Sequence, residues 1–212
     1  MLQFQSMEKR TILFDIDRTI LDTEKMIKRF DELILDVLGS SNYIDYKNAE
    51  SDYFKTLPNE RRFNVSDYSE FLSARFKPNT EKLIFNIFYS DKNRHIFSDC
   101  VFMEALEILN KLNNYNLGIY SEGTAQFQNH KFKSLKLDKY FAKELVFIVD
   151  VKDTNEVVEK LPKNAIIIDD KEMVCEFLVN NKIRAIWINR KDKRKSDKFE
   201  TIYSLLDLPA IL

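Results

Sequence analysis

Residues 11–19 of the chain read TILFDIDRT, and this stretch decides the fold. Its first four residues, Thr11–Phe14, form an apolar run without polar alternation, which is typical of a strand that is covered on both faces. Asp15 and Asp17 follow directly. Carboxylates avoid burial unless a cation, a base or water compensates them, so this strand end is a candidate site. Residues i and i+2 of an extended chain share a side, so both acids can address one ligand.

Four more apolar runs have the same β-type character, and helix-like segments separate them from one another. They are Leu117–Tyr120, Leu145–Val149, Ala165–Ile168 and Arg184–Ile188. The alternation of strands and helices predicts an α/β fold: a Rossmann-like, parallel, five-stranded sheet flanked by helices. One of these helices is predicted at Asp153–Leu161, and a final helix is predicted at Lys198–Leu206.

About a hundred residues between the first and second strands have a helical pattern. Ile27, Phe30 and Ile34 recur at helical spacing, and Gly39 follows as a stop signal. Ser66 and Thr80 are predicted caps of two further helices. The stretch is too long for a loop, so we predict a helical insertion at residues 22–97 and a core formed by residues 1–21 and 98–212.

Composition and charge exclude several classes of protein. The chain of 212 residues has 33 Lys and Arg against 34 Asp and Glu, a net charge of −1, which indicates neither a nucleic-acid partner nor an anionic membrane partner. Neither a membrane-spanning run nor a signal peptide is evident, so we expect a cytoplasmic protein. The basic run Arg190–Lys195 is interpreted as a solvated loop. Cys100 and Cys175 are predicted to be buried free thiols.

Ligand sites of parallel α/β sheets lie at the carboxyl ends of the strands. Here the residues that follow the strands are polar or ionisable: Asp15 and Asp17, Ser121–Gly123, Lys152, and Asp169–Asp170. Converging carboxylates repel one another unless a divalent cation such as Mg²⁺ binds between them. A lysine opposite them would hold an anion, so the set predicts a phosphoryl-transfer site. The second carboxylate can then protonate the leaving oxygen and later take a proton from water.

In order and spacing these residues resemble the four motifs of the haloacid dehalogenase-like phosphohydrolase superfamily, over Thr11 to about Ile188. The matches are Asp15, Asp17 and Thr19 of the first motif, Ser121 of the second, Lys152 of the third, and Asp169 and Asp170 of the fourth. The insertion resembles the type 1 helical cap of that superfamily.

The resemblance implies a Mg²⁺-dependent phosphatase that acts on a small phosphorylated metabolite. Asp15 would be the nucleophile, Asp17 the general acid and base, and Lys152 the cation that pairs with Asp15. Thr19 would orient Asp17 and its loop. The implied substrate-binding residues are Thr19, Ser121, Glu122, Gly123 and Lys152. The implied Mg²⁺ ligands are Asp15, Asp17 through its carbonyl, Asp169 and Asp170, with Asp170 preferred over Asp169 as the direct ligand.

Three positions depart from the superfamily pattern. Arg18 stands where glycine is common, which we interpret as a loop without a positive φ, or else as a guanidinium that faces the cap or a second substrate anion. The rivals of Lys152 as the third-motif lysine are Lys131, Lys143 and Lys160; Lys131 and Lys160 are expected to be solvated. Glu122 would oppose a phosphate unless it points away or contacts the metal shell or a substrate amine.

Several alternatives remain open at this point. Asp17 favours a phosphatase over a dehalogenase, because carbon–halogen cleavage does not need an acid and base there. A phosphomutase would use the same motifs, and a catalytically silent binding protein would keep the fold. A receiver-like phosphorylation module would not carry the insertion. Side chains of the insertion could form a substrate pocket or only pack: Tyr53, Phe54, Arg61, Arg62, Tyr68 and Arg75.

Overall fold

A parallel sheet of six strands forms the centre of the computed structural model, which describes residues 9–39, 42–57 and 63–212. The strands are β1 (Thr11–Phe14), β2 (Asn116–Glu122), β3 (Val146–Val149), β4 (Ala165–Asp169), β5 (Arg184–Ile188) and β6 (Glu200–Ile202). Their order is β3-β2-β1-β4-β5-β6, and all neighbours are parallel. The predicted α/β class and parallel sheet are confirmed. Since β1 lies between β2 and β4, the carboxyl ends of these three strands are adjacent.

The sixth strand corrects the sequence-based prediction of five strands and of a helix at Lys198–Leu206. β6 adds to the open edge of β5, where Arg184 donates two hydrogen bonds to the Glu200 carboxylate at 2.7 and 2.9 Å. A 3₁₀ helix, Leu205–Ala210, follows, and Ser204 with Asp207 forms its capping box. The helical spacing of apolar residues in this region thus arises from a strand and a short 3₁₀ turn in succession.

Most of the helical residues between β1 and β2 belong to four helices. These are α1 (Thr23–Leu38), α2 (Tyr43–Thr56), α3 (Val65–Phe76) and α4 (Glu81–Tyr89), and α5 (His95–Ser98) and α6 (Met103–Lys111) follow them. α1 ends at Gly39, whose φ of 64° is the left-handed conformation that a stop glycine adopts. α3 is capped by Asn64 rather than by Ser66, because the Asn64 side chain accepts the Ser66 and Asp67 N–H groups.

Aromatic rings join these inserted helices to the helix after β2, α7 (Ala125–Ser134). The Phe127 ring of α7 lies 5.7 Å from Phe63, 6.0 Å from Phe88 and 6.2 Å from Tyr89, measured between centroids. Such edge-to-face pairs are favourable beyond the area that they bury. The division into a core and a cap at residues 22–97 stays a prediction.

The remaining two α-helices follow β3 and β4 along the chain. α8 (Asn155–Val158) is shorter than the predicted helix over Asp153–Leu161, and α9 (Glu172–Asn180) follows β4. Within the described residues no helix is long and apolar enough to cross a membrane. Both cysteines are buried and free, as predicted.

Among the insertion's proposed pocket residues, Tyr53 and Tyr68 are buried, with 3% and 2% of their surface exposed. Packing in the hydrophobic core therefore accounts for the helical spacing of these two tyrosines. Arg75 forms an exposed ion pair with Asp52. Arg61 and Arg62 lie outside the described residues.

Candidate active site

One lysine and two aspartates meet at the carboxyl ends of β1 and β4. The Lys152 Nζ lies 2.5 Å from Asp15 Oδ1 and 2.6 Å from Asp169 Oδ2. All three residues are at most 4% exposed. The Asp15 N–H donates to the carbonyl of Ile168 at 2.9 Å, which extends the β1–β4 ladder by one residue. The nucleophile predicted from sequence is therefore held by sheet hydrogen bonding as well as by its lysine.

The electrostatics of this cluster favour the charged form of Lys152 and disfavour the charged forms of Asp15 and Asp170. Burial would lower the pKa of Lys152, but Asp15 and Asp169 outweigh this effect and raise it. Burial, opposed by Lys152 and reinforced by the charges of Asp169 and Asp170, raises the pKa of Asp15 to about 8. Burial and the Asp169 charge also raise the pKa of Asp170, to about 6. A further cation would relieve this excess of negative charge.

Three carboxylates could hold such a cation. Asp15, Asp169 and Asp170 each offer an oxygen, and these oxygens lie within 4.8 Å of one another. Oδ1 of Asp170 is buried without a hydrogen-bond partner among the described residues. Both oxygens of Asp169 are engaged, one by Lys152 Nζ and the other by the Lys171 N–H at 2.8 Å. An all-oxygen donor set with one free buried oxygen fits Mg²⁺.

Ser121 and Gly123 at the end of β2 are two further candidate site residues. Ser121 is fully buried, and its Oγ has no hydrogen-bond partner among the described residues. Gly123 has a φ of 140°, and a Cβ there would lie 2.7 Å from Gln128 Nε2. A side chain at this position would thus be strained and would displace Gln128. The unsatisfied hydroxyl is available to an oxygen of a bound anion.

Glu122 faces two groups that compensate its charge. Its carboxylate accepts the Lys152 N–H at 3.0 Å and lies 3.1 Å from Lys171 Nζ. The hydroxyl of Tyr120 donates to the Lys152 carbonyl at 2.7 Å, so both sides of the Lys152 backbone are fixed. From the sequence, the charge of Glu122 was expected to oppose a bound phosphate. In the structure this carboxylate is paired with Lys171, and it holds the loop that carries Lys152.

Asp17 is held by a second lysine, Lys131 of α7. The Lys131 Nζ lies 2.9 Å and 2.7 Å from the two carboxylate oxygens of Asp17, and the Thr23 hydroxyl donates to Oδ1 at 3.0 Å. Burial alone would raise the pKa of Asp17, but the charge and hydrogen bonds of Lys131 outweigh it and hold the pKa below its usual value. Lys131 is only 3% exposed, so the expectation that it is solvated was wrong.

The loop between Asp17 and α1 differs from its sequence-based interpretation. Arg18 has a φ of 58°, so this loop does use a left-handed residue. Its guanidinium lies 2.6 Å from Glu24 and 3.9 Å from Asp170. The Thr19 hydroxyl is buried without a hydrogen-bond partner among the described residues. The hydroxyl that contacts Asp17 is that of Thr23, not that of Thr19.

Arg190 and Lys171 are two site residues that the sequence reasoning missed. Arg190 Nε donates to the Arg18 carbonyl at 2.9 Å, and its Nη2 donates to the Thr19 carbonyl at 3.0 Å and lies 2.6 Å from Glu104. The interpretation of the basic run as solvated therefore fails for Arg190, although residues 191–195 are exposed. Their sequence positions could have identified them as site residues, because each follows the end of a strand by two residues.

Solved structures with this fold include hydrolases of different kinds. The HAD hydrolase YfnB of Bacillus subtilis, solved bound to magnesium, is 19% identical with a TM-score of 0.68, covering 97% of this chain and 99% of its own. A HAD phosphatase from Thermococcus onnurineus is 21% identical with a TM-score of 0.64, covering 95% and 97%. A 2-haloacid dehalogenase from Pseudomonas syringae is 19% identical with a TM-score of 0.62, covering 96% and 97%. At these identities the likeness concerns the fold.

No curated protein sequence matches the chain. The family model described as haloacid dehalogenase-like hydrolase matches residues 12–188, a range that includes the carboxyl ends of β1 to β5. With that match over most of its length, the chain belongs to the haloacid dehalogenase-like hydrolases.

Proposed function

We propose that this hydrolase is a Mg²⁺-dependent phosphatase of small phosphorylated metabolites that works through an aspartyl-phosphate on Asp15. The observation that carries the proposal is the buried contact between Asp15 and Lys152, with a second carboxylate, Asp17, two residues further on. A dehalogenase needs the nucleophile and the lysine but not that second carboxylate. Asp17 therefore favours phosphate ester hydrolysis.

In the first half of the proposed reaction, a carboxylate oxygen of Asp15 attacks phosphorus. The bond between phosphorus and the leaving oxygen breaks, and Asp17 gives that oxygen a proton. The Lys152 ammonium stabilises the negative charge on the phosphoryl group, and the Ser121 hydroxyl donates to one of its oxygens. Both groups are already buried at the strand ends, so little reorganisation is required of them.

In the second half, water attacks phosphorus and gives a proton to Asp17. The bond from phosphorus to the Asp15 oxygen breaks, inorganic phosphate leaves, and the free carboxylate is restored. The Lys131 contact favours the anionic form of Asp17, which is the form that accepts this proton. To act as the donor in the first half, Asp17 must first take up a proton.

The proposed Mg²⁺ ligands are Asp15, Asp170 and the carbonyl of Asp17. Asp170 is preferred over Asp169 because it has the free buried oxygen, whereas both oxygens of Asp169 are hydrogen-bonded. When bound, Mg²⁺ would offset the negative charge of the carboxylates and of the phosphoryl group.

The test is hydrolysis of p-nitrophenyl phosphate with Mg²⁺ and with EDTA, by the wild type, by Asp15→Asn and by Asp36→Asn. Asp36 is exposed on α1 and serves as the matched control. We expect Mg²⁺-dependent turnover by the wild type and by the control, and none by Asp15→Asn. Equal turnover by the wild type and Asp15→Asn would refute the nucleophile assignment.

A second arm separates the two reactions known among the structural neighbours. Asp17→Asn should lose about 10²–10⁴ in turnover of the phosphate ester, the usual contribution of a general acid and base. Chloride release from 2-chloropropionate should be absent in the wild type. Release of chloride without release of phosphate would make the protein a dehalogenase instead.

A further inference from the structure

The Asp17–Lys131 contact joins the site to the helix that faces the inserted segment. Lys131 and Gln128 lie three residues apart on α7, so they share one face of that helix. Gln128 Nε2 lies 3.4 Å from Asp17 Oδ2 and donates to the Glu122 carbonyl at 2.8 Å. Two side chains of one helix turn thus contact the Asp17 carboxylate.

A buried lysine requires compensation, and this one receives it from Asp17. Removing an ammonium group from water is costly unless an opposite charge is in contact with it. Lys131 is 3% exposed, whereas the Asp17 side chain is 24% exposed. The Phe127 ring, with its centroid 5.1 Å from the Lys131 Nζ, adds a favourable contact to the cation. The lysine is therefore confined, and the carboxylate that it holds keeps one open side.

The negative charge of Asp15 is compensated without Lys131. Lys152 already contacts Asp15 and Asp169, and it is buried with them. Lys131 instead contacts both oxygens of Asp17, which is the geometry that restricts rotation of a carboxylate. The two lysines thus serve two different carboxylates.

We propose that Lys131 is a positioning residue that fixes the carboxylate of Asp17 for proton transfer, with Gln128 as its helper. Lys131 acts through Asp17 and not on the substrate directly. This inference rests on the proposed phosphatase function, because that function gives Asp17 a proton to transfer. If the Asp17 carboxylate moved by about 1 Å or adopted another rotamer, turnover would fall although the substrate would still bind.

The test compares Lys131→Met and Lys131→Arg with Lys133→Met, using p-nitrophenyl phosphate and Mg²⁺. Lys133 is an exposed lysine of the same helix and serves as the matched control. We expect Lys131→Met to lower kcat by about 10–100-fold with KM unchanged, the usual cost of losing an outer partner of a site residue. Lys131→Arg should restore part of kcat, and Lys133→Met should match the wild type.

Combination with Asp17→Asn separates positioning from a merely structural role. If Lys131 acts through Asp17, Lys131→Met should cause no further loss of kcat in the Asp17→Asn protein. The inference is overturned if Lys131→Met matches Lys133→Met, or if it costs the same factor with and without the Asp17 carboxylate. Thermal unfolding of each variant identifies a protein that has failed to fold, and Lys131→Arg then carries the comparison.

A readout without turnover keeps this inference separate from the proposed function. Failure of the wild type to hydrolyse the ester would refute the function, and crystal structures of the wild type and Lys131→Met would still test the positioning. A rotated Asp17 carboxylate in Lys131→Met would support it. An Asp17 carboxylate that keeps its orientation and its Thr23 hydrogen bond would overturn it.

Discussion

The carboxylate of Glu122 accepts a hydrogen bond from the backbone N–H of Lys152 at 3.0 Å, across 30 residues of sequence. The end of β2 thereby holds the loop after β3, which carries the lysine of the site. The same carboxylate pairs with Lys171, which follows the two aspartates at the end of β4. Glu122 thus links three strand ends at one point.

Glu122→Ala should lower both the free energy of unfolding and the turnover of the protein. Loss of the acceptor leaves the buried Lys152 N–H unsatisfied, which costs about 1–3 kcal/mol in the free energy of unfolding. Turnover should fall because the Lys152 ammonium is then less well held. Glu122→Gln keeps an acceptor oxygen and should have a smaller effect on both. Urea unfolding and p-nitrophenyl phosphate turnover measure this, with the exposed Glu107→Ala as control. Identical results for Glu122→Ala and Glu107→Ala would contradict the linking role.

Arg190 fixes the backbone after Asp17, so Arg190→Lys should lower kcat. A lysine cannot reproduce the planar contact with the Arg18 and Thr19 carbonyls and with Glu104. We expect a loss of about 1–3 kcal/mol in stability as well, because these hydrogen bonds have a charged donor. Arg194→Lys is the control from the same basic run, since the Arg194 ion pair with Glu172 is exposed. The role of Arg190 would be wrong if both variants behaved alike in urea unfolding and turnover.

Magnesium should stabilise the wild type against heat, and Asp170→Asn should remove most of that effect. A ligand at about 100 times its dissociation constant stabilises the folded state by about 2.7 kcal/mol. Scanning calorimetry with Mg²⁺ and with EDTA measures the shift, with the exposed Asp138→Asn as control. A wild-type shift that survives in Asp170→Asn but disappears in Asp169→Asn would exchange the roles of these two aspartates. The absence of any wild-type shift would refute the metal assignment.

The sequence predicted the sheet and the convergence of its strand ends because both follow from topology. Apolar runs identify the strands, and parallel order alone brings the residues after β1, β3 and β4 to one edge. Asp15 and Lys152 meet in this way although 137 residues separate them. The position of Asp169 and Asp170 at the same edge likewise follows from the strand order alone. These contacts are consequences of the fold rather than of local sequence.

The contacts that the sequence could not predict depend on how a helix or loop is turned. α7 carries two lysines, and only the rotation of that helix buries Lys131 and leaves Lys133 exposed. Arg190 begins a basic run whose other members are exposed, and the two carbonyls to which it donates lie 171 and 172 residues away. β6 has only three residues and pairs with an edge strand, so it carried too weak a pattern to outweigh a helical one.

His130 should titrate below the ordinary range of histidine. Burial against Tyr89 and Phe97 lowers the pKa of His130 from 6.5, and the positive charge of Arg94 lowers it further. The chain has two histidines, so proton NMR of the wild type and of a His95→Gln variant assigns the ring signal of His130 and measures its pKa.

The sign of the effect of His130 on stability follows from linkage. Because folding lowers this pKa, the unfolded chain binds the proton more tightly than the folded chain does. The free energy of unfolding should therefore decrease as the pH falls from about 6.5 through the folded pKa, and level off below it. His130→Phe should flatten that part of the pH profile in urea unfolding. A His130 signal that titrates at 6.5 or above, or a pH profile that His130→Phe does not flatten, would show that the ring is not desolvated as the contacts with Tyr89 and Phe97 indicate.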